Sequence, residues 1–119
     1  MTNDVYWLLE LSIPAEKYET FEALMKEMVA ATERNEPNTL NYEWTVSDDR
    51  THCHIYERYR DSEAVMAHLE TFGARYADRF FSCVNPERMV VYGSVSEQAR
   101  AALEKAGAEF MLPWAGFAR

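Results

Sequence analysis

The fold is decided by one stretch of the chain, Asn38–Phe72, which reads NTLNYEWTVSDDRTHCHIYERYRDSEAVMAHLETF. Its pattern predicts a strand over Thr39–Ser47, a turn at Asp48-Asp49, a second strand over Thr51–Arg60, and a helix capped at Asp61 or the next residue. The stretch also holds all three histidines of the protein and four large aromatic residues in its hairpin. We therefore expect that any chemistry on a small molecule takes place here.

The chain on either side supplies the remaining elements of a single domain. Apolar periodicity predicts a strand over residues 5–13, a helix over 15–34, a second helical segment up to 84, a strand over 89–92 and a short helix over 94–106. The order is β-α-β-β-α-β, the ferredoxin-like α+β order, with a C-terminal helix and an apolar tail added. We expect a core over about 5–93 and an extension over 94–119 that docks on this subunit or on a partner.

Side chains along each strand of the hairpin point alternately to the two faces of the sheet, so the pairing register decides which side chains share a face. With an even-length turn, one face carries eight residues that point to the helices: Leu40, Tyr42, Trp44, Val46, Cys53, Ile55, Glu57 and Tyr59. A one-residue bulge would exchange the faces of the second strand. The opposite face of the sheet is too aromatic for plain solvent, which favours a second subunit covering it.

Composition excludes several classes of partner. The chain has 119 residues and a formal net charge of -8, which argues against nucleic acid and against anionic membrane surfaces. The N-terminal apolar run is too short to span a bilayer and has no basic region before it. Cys53 and Cys83 are expected to be reduced, buried thiols, and we expect a cytoplasmic protein.

The hairpin and the helix after it resemble the antibiotic biosynthesis monooxygenase family of dimeric α/β barrels. The resemblance is sharp over about residues 40–72 and follows the element order over about 5–93. The residues that carry it are Tyr42-Glu43, Tyr56-Glu57, Tyr59, Asp61, Glu63-Ala64 and Ala67-His68. It implies a homodimer with a pocket in each subunit, and oxidation of an electron-rich aromatic without a metal or flavin. The heme-degrading branch of the family uses an asparagine on the first strand. This chain has no asparagine between Val5 and Ile13, which argues against heme degradation.

Glu57 and His68 are the candidate catalytic residues. A glutamate on the core face is unfavourable unless it is paired or protonated, so Glu57 is either a hydrogen-bonded structural residue or a carboxyl with a raised pKa that moves a proton or orients His68. His68 points inward from its helix and is either a hydrogen-bonded core histidine or a general base.

Six further residues are candidates for contacting an aromatic substrate. They are Tyr42, Trp44, Tyr59, Phe72, Arg79 and Phe80. The aromatic residues are equally consistent with simple core packing, and Arg79 with a solvated helix position. His52 and His54 lie two apart on one strand face, as in half of a metal site, but no third ligand is indicated and no metal is expected.

Three functions remain open from the sequence. The first is a cofactor-independent monooxygenase that acts on a quinol or polycyclic aromatic. The second is an isomerase or another non-oxidative enzyme on the same scaffold. The third is a non-catalytic, stress-associated barrel that binds a small molecule, since fold does not choose among the three.

Overall fold

The computed structural model describes residues 2–119 and contains five strands and four α-helices within that range. In chain order the elements are β1 (Val5–Ser12), a 3₁₀ turn (Ala15–Lys17), α1 (Tyr18–Asn35), β2 (Thr39–Val46), β3 (His52–Tyr59), α2 (Ser62–Arg75), α3 (Ala77–Cys83), β4 (Asn85–Gly93), α4 (Glu97–Lys105) and β5 (Glu109–Met111). The predicted ferredoxin-like α+β fold is confirmed.

The strands form one sheet in the order β2-β3-β1-β4-β5. The first four strands pair antiparallel, and β5 pairs with β4 in parallel. The predicted hairpin register is correct over most of its length, because Tyr42 faces Glu57 and Trp44 faces Ile55. Leu40 is the exception, since the register shifts between Thr39 and Asn41 and leaves Leu40 exposed.

Two apolar clusters make up the core on the helix side of the sheet. One joins α1, α3 and the hairpin around Phe21, Ile55 and Phe80. The other joins α2, α4 and the central strands around Trp7, Val65 and Leu103. The second cluster includes Ala99 and Leu103 of α4, so this part of the C-terminal extension packs into the core.

The C-terminal region differs from the sequence prediction in two ways. β4 starts at Asn85, four residues before the predicted strand, and β5 was not predicted because it has only three residues. Beyond β5 the tail lies exposed, with Trp114 and Phe117 in solvent, so its docking on a partner stays a prediction.

Among residues 2–119, no helix combines the length and apolar character needed to cross a membrane.

Candidate functional site

A cavity of about 350 Å³ lies between the sheet and the helices, where the two core clusters meet. Apolar and aromatic side chains form most of its wall, while Glu57 and His68 form its polar part. The lining residues are Trp7, Leu9, Met28, Tyr42, Ile55, Glu57, His68, Leu69, Phe72, Phe80, Phe81, Pro86, Met89, Leu103, Lys105 and Ala106. An apolar pocket with a few polar groups at one place is the usual form of a small-molecule site.

His68 is placed by the helix that Asp61 caps. The Asp61 carboxylate accepts a hydrogen bond from the Ala64 amide at 2.9 Å, which fixes the start of α2 and therefore its buried face. His68 lies two turns further on, on that buried face, and its side chain is only 8% exposed. Its Nδ1 lies 2.9 Å from Glu36 Oε1, and its Nε2 lies 3.4 Å from Glu57 Oε1.

Glu57 is the most deeply buried carboxyl of the site, with a side chain that is 6% exposed. The alternation of β3 places it on the helix side between Ile55 and Tyr59. The Tyr59 hydroxyl donates a hydrogen bond to its Oε1 at 2.5 Å. Burial raises the pKa of Glu57, although the charge of His68, the Tyr59 hydrogen bond and the nearby Trp7 indole N–H oppose that rise.

The pKa of His68 is also raised. Burial by itself would lower it, but the hydrogen bond with Glu36 and the negative charges of Glu57 and Glu36 outweigh burial. For Glu36 burial acts to raise the pKa, yet the hydrogen bonds with His68 and Thr39 hold it below its ordinary value. His68 therefore lies between a carboxyl whose pKa is lowered, Glu36, and a carboxyl whose pKa is raised, Glu57, which is an arrangement able to move a proton.

The structure brings together five of the eight sequence-predicted site residues. His68, Glu57, Tyr42, Phe72 and Phe80 all line the cavity.

The other three predicted residues lie off the cavity wall. Tyr59 is fully buried behind Glu57 and supports it by hydrogen bonding. Trp44 lines a separate shallow pocket of about 140 Å³ against α1. Arg79 is half exposed on α3 and makes a bidentate ion pair with Glu27, at 2.8 and 2.9 Å. Trp44 therefore does not form part of the cavity wall. Arg79 does not line the cavity either, so it does not place a positive charge beside a substrate anion bound there.

Sequence reasoning missed Glu36 and most of the wall opposite the hairpin. Glu36 belongs to the loop between α1 and β2 and reaches His68 from 32 residues away in the chain. A glutamate in a helix-terminating loop gives no signal in a single sequence. Trp7 and Leu103 had a signal, because both lie on predicted apolar faces, but core packing was the simpler explanation.

His52 and His54 are far from the cavity, on the other face of the sheet. Each has a different carboxylate nearby, Glu87 at 3.7 Å from His52 and Glu10 at 3.8 Å from His54. Over residues 2–119, no group of three or more histidine, cysteine or acidic side chains is arranged to hold a metal ion.

Together the fold and the site define a class of protein: a ferredoxin-like α+β domain with a buried histidine–carboxylate cluster facing an aromatic-lined cavity. A sequence model of the antibiotic biosynthesis monooxygenase family matches residues 5–81. The chain belongs to that family, as its hairpin and second helix predicted.

Solved structures agree on the fold. MupZ from Pseudomonas fluorescens superposes with a TM-score of 0.88 at 23% identity, covering 100% of this chain and 91% of that chain. A candidate antibiotic biosynthesis monooxygenase from Nitrosomonas europaea gives a TM-score of 0.69 at 22% identity, over 82% of this chain and 95% of that chain. A similar candidate from Bacteroides thetaiotaomicron gives 0.66 at 24% identity, over 80% and 90%. No curated protein sequence matches the chain.

Proposed function

We propose that this protein is a cofactor-independent monooxygenase that oxidises a phenolic, quinol-type or polycyclic aromatic substrate in the cavity between the sheet and the helices. The observation that supports this most is the Glu36–His68–Glu57 cluster at the wall of an otherwise apolar cavity of about 350 Å³. Aromatic side chains fit a planar ring, and the cluster fits an ionisable hydroxyl on that ring.

His68 is the base in this proposal. In its neutral form the His68 ring carries its proton on Nδ1, and this N–H donates a hydrogen bond to Glu36. Nε2 is therefore free to accept a proton from the substrate hydroxyl. Glu57 lies 3.4 Å from the same Nε2 and stabilises the imidazolium that forms. The apolar wall keeps water away from the phenolate, which makes it a better electron donor.

Dioxygen is the co-substrate, and the balance is simple. The phenolate gives one electron to O₂, the substrate radical and superoxide join through a new carbon–oxygen bond, and loss of water leaves a quinone. A phenol and one O₂ thus give a quinone and one water. The protein supplies binding, proton transfer and a dry site.

Oxygen consumption tests the proposal directly. Purified protein is given a panel of hydroquinones and anthrones in an oxygen electrode, beside His68→Ala and the matched control His52→Ala. We expect uptake that disappears in His68→Ala and persists in His52→Ala, because His52 is half exposed and off the cavity. Equal uptake by all three proteins would remove His68 from the mechanism.

A non-oxidative enzyme, such as an isomerase, is the second candidate. The observation that favours it is that the cluster consists only of proton-transfer groups, which can act without oxygen. Exchange of a substrate C–H for deuterium from the solvent, without oxygen uptake and dependent on His68, would identify this reaction. Tight binding of an aromatic with neither reaction would instead point to a small-molecule-binding protein.

The homodimer is a further part of the proposal. The sheet face opposite the helices carries Tyr6 stacked on Tyr92 at 5.3 Å, with Tyr56 edge-on to Tyr6 at 6.5 Å. Tyr6 is 36% exposed in the single chain, and a second copy would cover it. Light scattering should give twice the chain mass for the native protein and a monomer for Tyr6→Glu, whereas a native monomer would contradict the dimer.

A cytoplasmic location completes the proposal. Cys53 and Cys83 are both buried free thiols in the structure. Unpaired cysteines are typical of a reducing compartment. Fractionation of cells that express the full chain should therefore recover it with cytoplasmic markers.

A further inference from the structure

Trp7 has a feature that packing does not explain. Its side chain is 2% exposed, yet its indole Nε1–H has no hydrogen-bond partner among residues 2–119. Buried donors are almost always paired, and an unpaired one destabilises the fold that contains it. A buried, unpaired donor therefore needs a reason.

The position of this donor supplies the reason. Trp7 lines the cavity, and it stands directly opposite Glu57 in the pairing of β1 with β3. Its ring packs on Tyr59 at 4.7 Å, so the indole is held in one orientation. The donor is thus fixed beside the polar end of an otherwise apolar cavity. The Glu57 carboxyl lies close enough for the indole N–H to act to lower the pKa of that carboxyl, but the two groups do not complete a hydrogen bond, so the donor remains open to an oxygen of a bound ligand.

We propose that the Trp7 indole N–H donates a hydrogen bond to an oxygen of the bound substrate, the same oxygen that faces His68 and Glu57. This rests on the proposed function only in taking the cavity as the substrate site. It narrows the substrate to aromatics that carry a hydroxyl or carbonyl oxygen on the ring system. It also makes Trp7 a stabiliser of the phenolate, since a donor aimed at a developing anion binds it more strongly than the neutral hydroxyl.

The chain offers a matched control in Trp44. Its indole N–H is also buried without a partner, but Trp44 lines the separate shallow pocket against α1. Trp7→Phe and Trp44→Phe therefore remove the same group and similar volume from a buried position and a partly buried one, and only Trp7 lines the cavity.

The first measurement uses the native protein. With ¹⁵N-labelled tryptophan, the three indole N–H groups of the chain give three separable NMR signals, assigned with the two variants. Addition of 1-naphthol should move the Trp7 signal downfield and leave the Trp44 signal unchanged. Addition of 1-methylnaphthalene, which has the same shape and no oxygen, should not produce that downfield shift. Absence of a 1-naphthol-specific shift at Trp7 would overturn the inference.

The second measurement is binding by calorimetry. Trp7→Phe should lower the affinity for 1-naphthol about tenfold more than the affinity for 1-methylnaphthalene, which corresponds to the loss of one hydrogen bond. Trp44→Phe should leave the affinity for both ligands unchanged. An equal loss for both ligands in Trp7→Phe would show that Trp7 contributes shape alone, and failure of 1-naphthol to bind the native protein would also refute the inference.

These outcomes separate the inference from the oxygenase proposal. If Trp7→Phe weakens binding of 1-naphthol more than binding of 1-methylnaphthalene, and no oxygen is consumed, the hydrogen bond is supported and the oxygenase proposal is refuted. Oxygen uptake with the same KM and kcat in the native protein and Trp7→Phe would keep the oxygenase and remove the hydrogen bond.

Discussion

The contact between Glu36 and His68 gives a stability prediction with a defined pH window. Glu36→Gln keeps an oxygen that can accept the Nδ1 proton but removes the negative charge. A hydrogen bond to a charged group contributes about 1.5–3 kcal/mol and a neutral one about 0.5–1.5 kcal/mol. Because the side chains of Glu36 and His68 are only 13% and 8% exposed, screening by water is weak. We expect Glu36→Gln to lower the free energy of unfolding by about 1–1.5 kcal/mol, the difference between the two.

The loss should depend on pH in both directions. The folded pKa of Glu36 is lowered, so its contribution is complete above the unfolded pKa of about 4.3 and disappears as pH falls through the folded pKa. The folded pKa of His68 is raised, so its contribution is complete below the unfolded pKa of about 6.5 and disappears as pH rises through the folded pKa. The difference between the two proteins should therefore be largest from about pH 4.3 to about pH 6.5.

Urea unfolding followed by circular dichroism, at intervals from acid to alkaline pH, measures this difference. The other groups that face His68 are Glu57, Tyr42 and Tyr59, and they are present in both proteins, so their titration largely cancels. Glu27→Gln is the control, since it breaks the exposed pair with Arg79. Arginine keeps its charge, so the control should show no decline on the alkaline side. A Glu36→Gln loss that is independent of pH, or largest at alkaline pH, would refute the reasoning.

Three further predictions concern the site and the frame that holds it. Glu57→Gln should lower turnover by about 100-fold or more, the usual share of acid–base catalysis, while calorimetry finds 1-naphthol affinity within about twofold of native; unchanged turnover would make Glu57 structural. Leu103→Ala removes a fully buried side chain at the cavity wall and should cost about 2–5 kcal/mol in urea unfolding, and a much smaller loss would show that α4 is dispensable. Gly93→Ala should destabilise more than Gly107→Ala, because both glycines have positive φ, +99° and +84°, but only at Gly93 would a Cβ collide with the Asp4 carbonyl oxygen; equal thermal shifts would contradict this.

The hairpin shows how far local pattern reaches. A strand alternates its side chains, so the placement of Tyr42, Trp44 and Glu57 on one face follows once the register is known. The pattern failed at Leu40, because a bulge depends on how the strand end meets its neighbours and leaves no mark in the alternation. The Asp61 cap, which sets the buried face of α2, was likewise readable from sequence.

What a shared face cannot decide is which of its residues border open space. Trp44 shares the face of Tyr42, but Phe21 and Phe80 cover it at 5.6 and 6.1 Å, so it lies off the cavity. Tyr59 shares the face of Glu57, but Trp7 packs against its ring. Those coverings come from side chains of α1, α3 and β1, and their packing is set only when the whole chain is folded.

The sequence by itself thus determined the element order, most of the hairpin register and the inward placement of Glu57 and His68. These depend on periodicity and capping, which act over a few residues. Only the tertiary structure decided that Glu36 meets His68, that α4 closes the cavity and that the Trp7 indole is left without a partner. Those contacts join residues far apart in the chain, and their energies depend on burial and distance, which exist only in the packed protein.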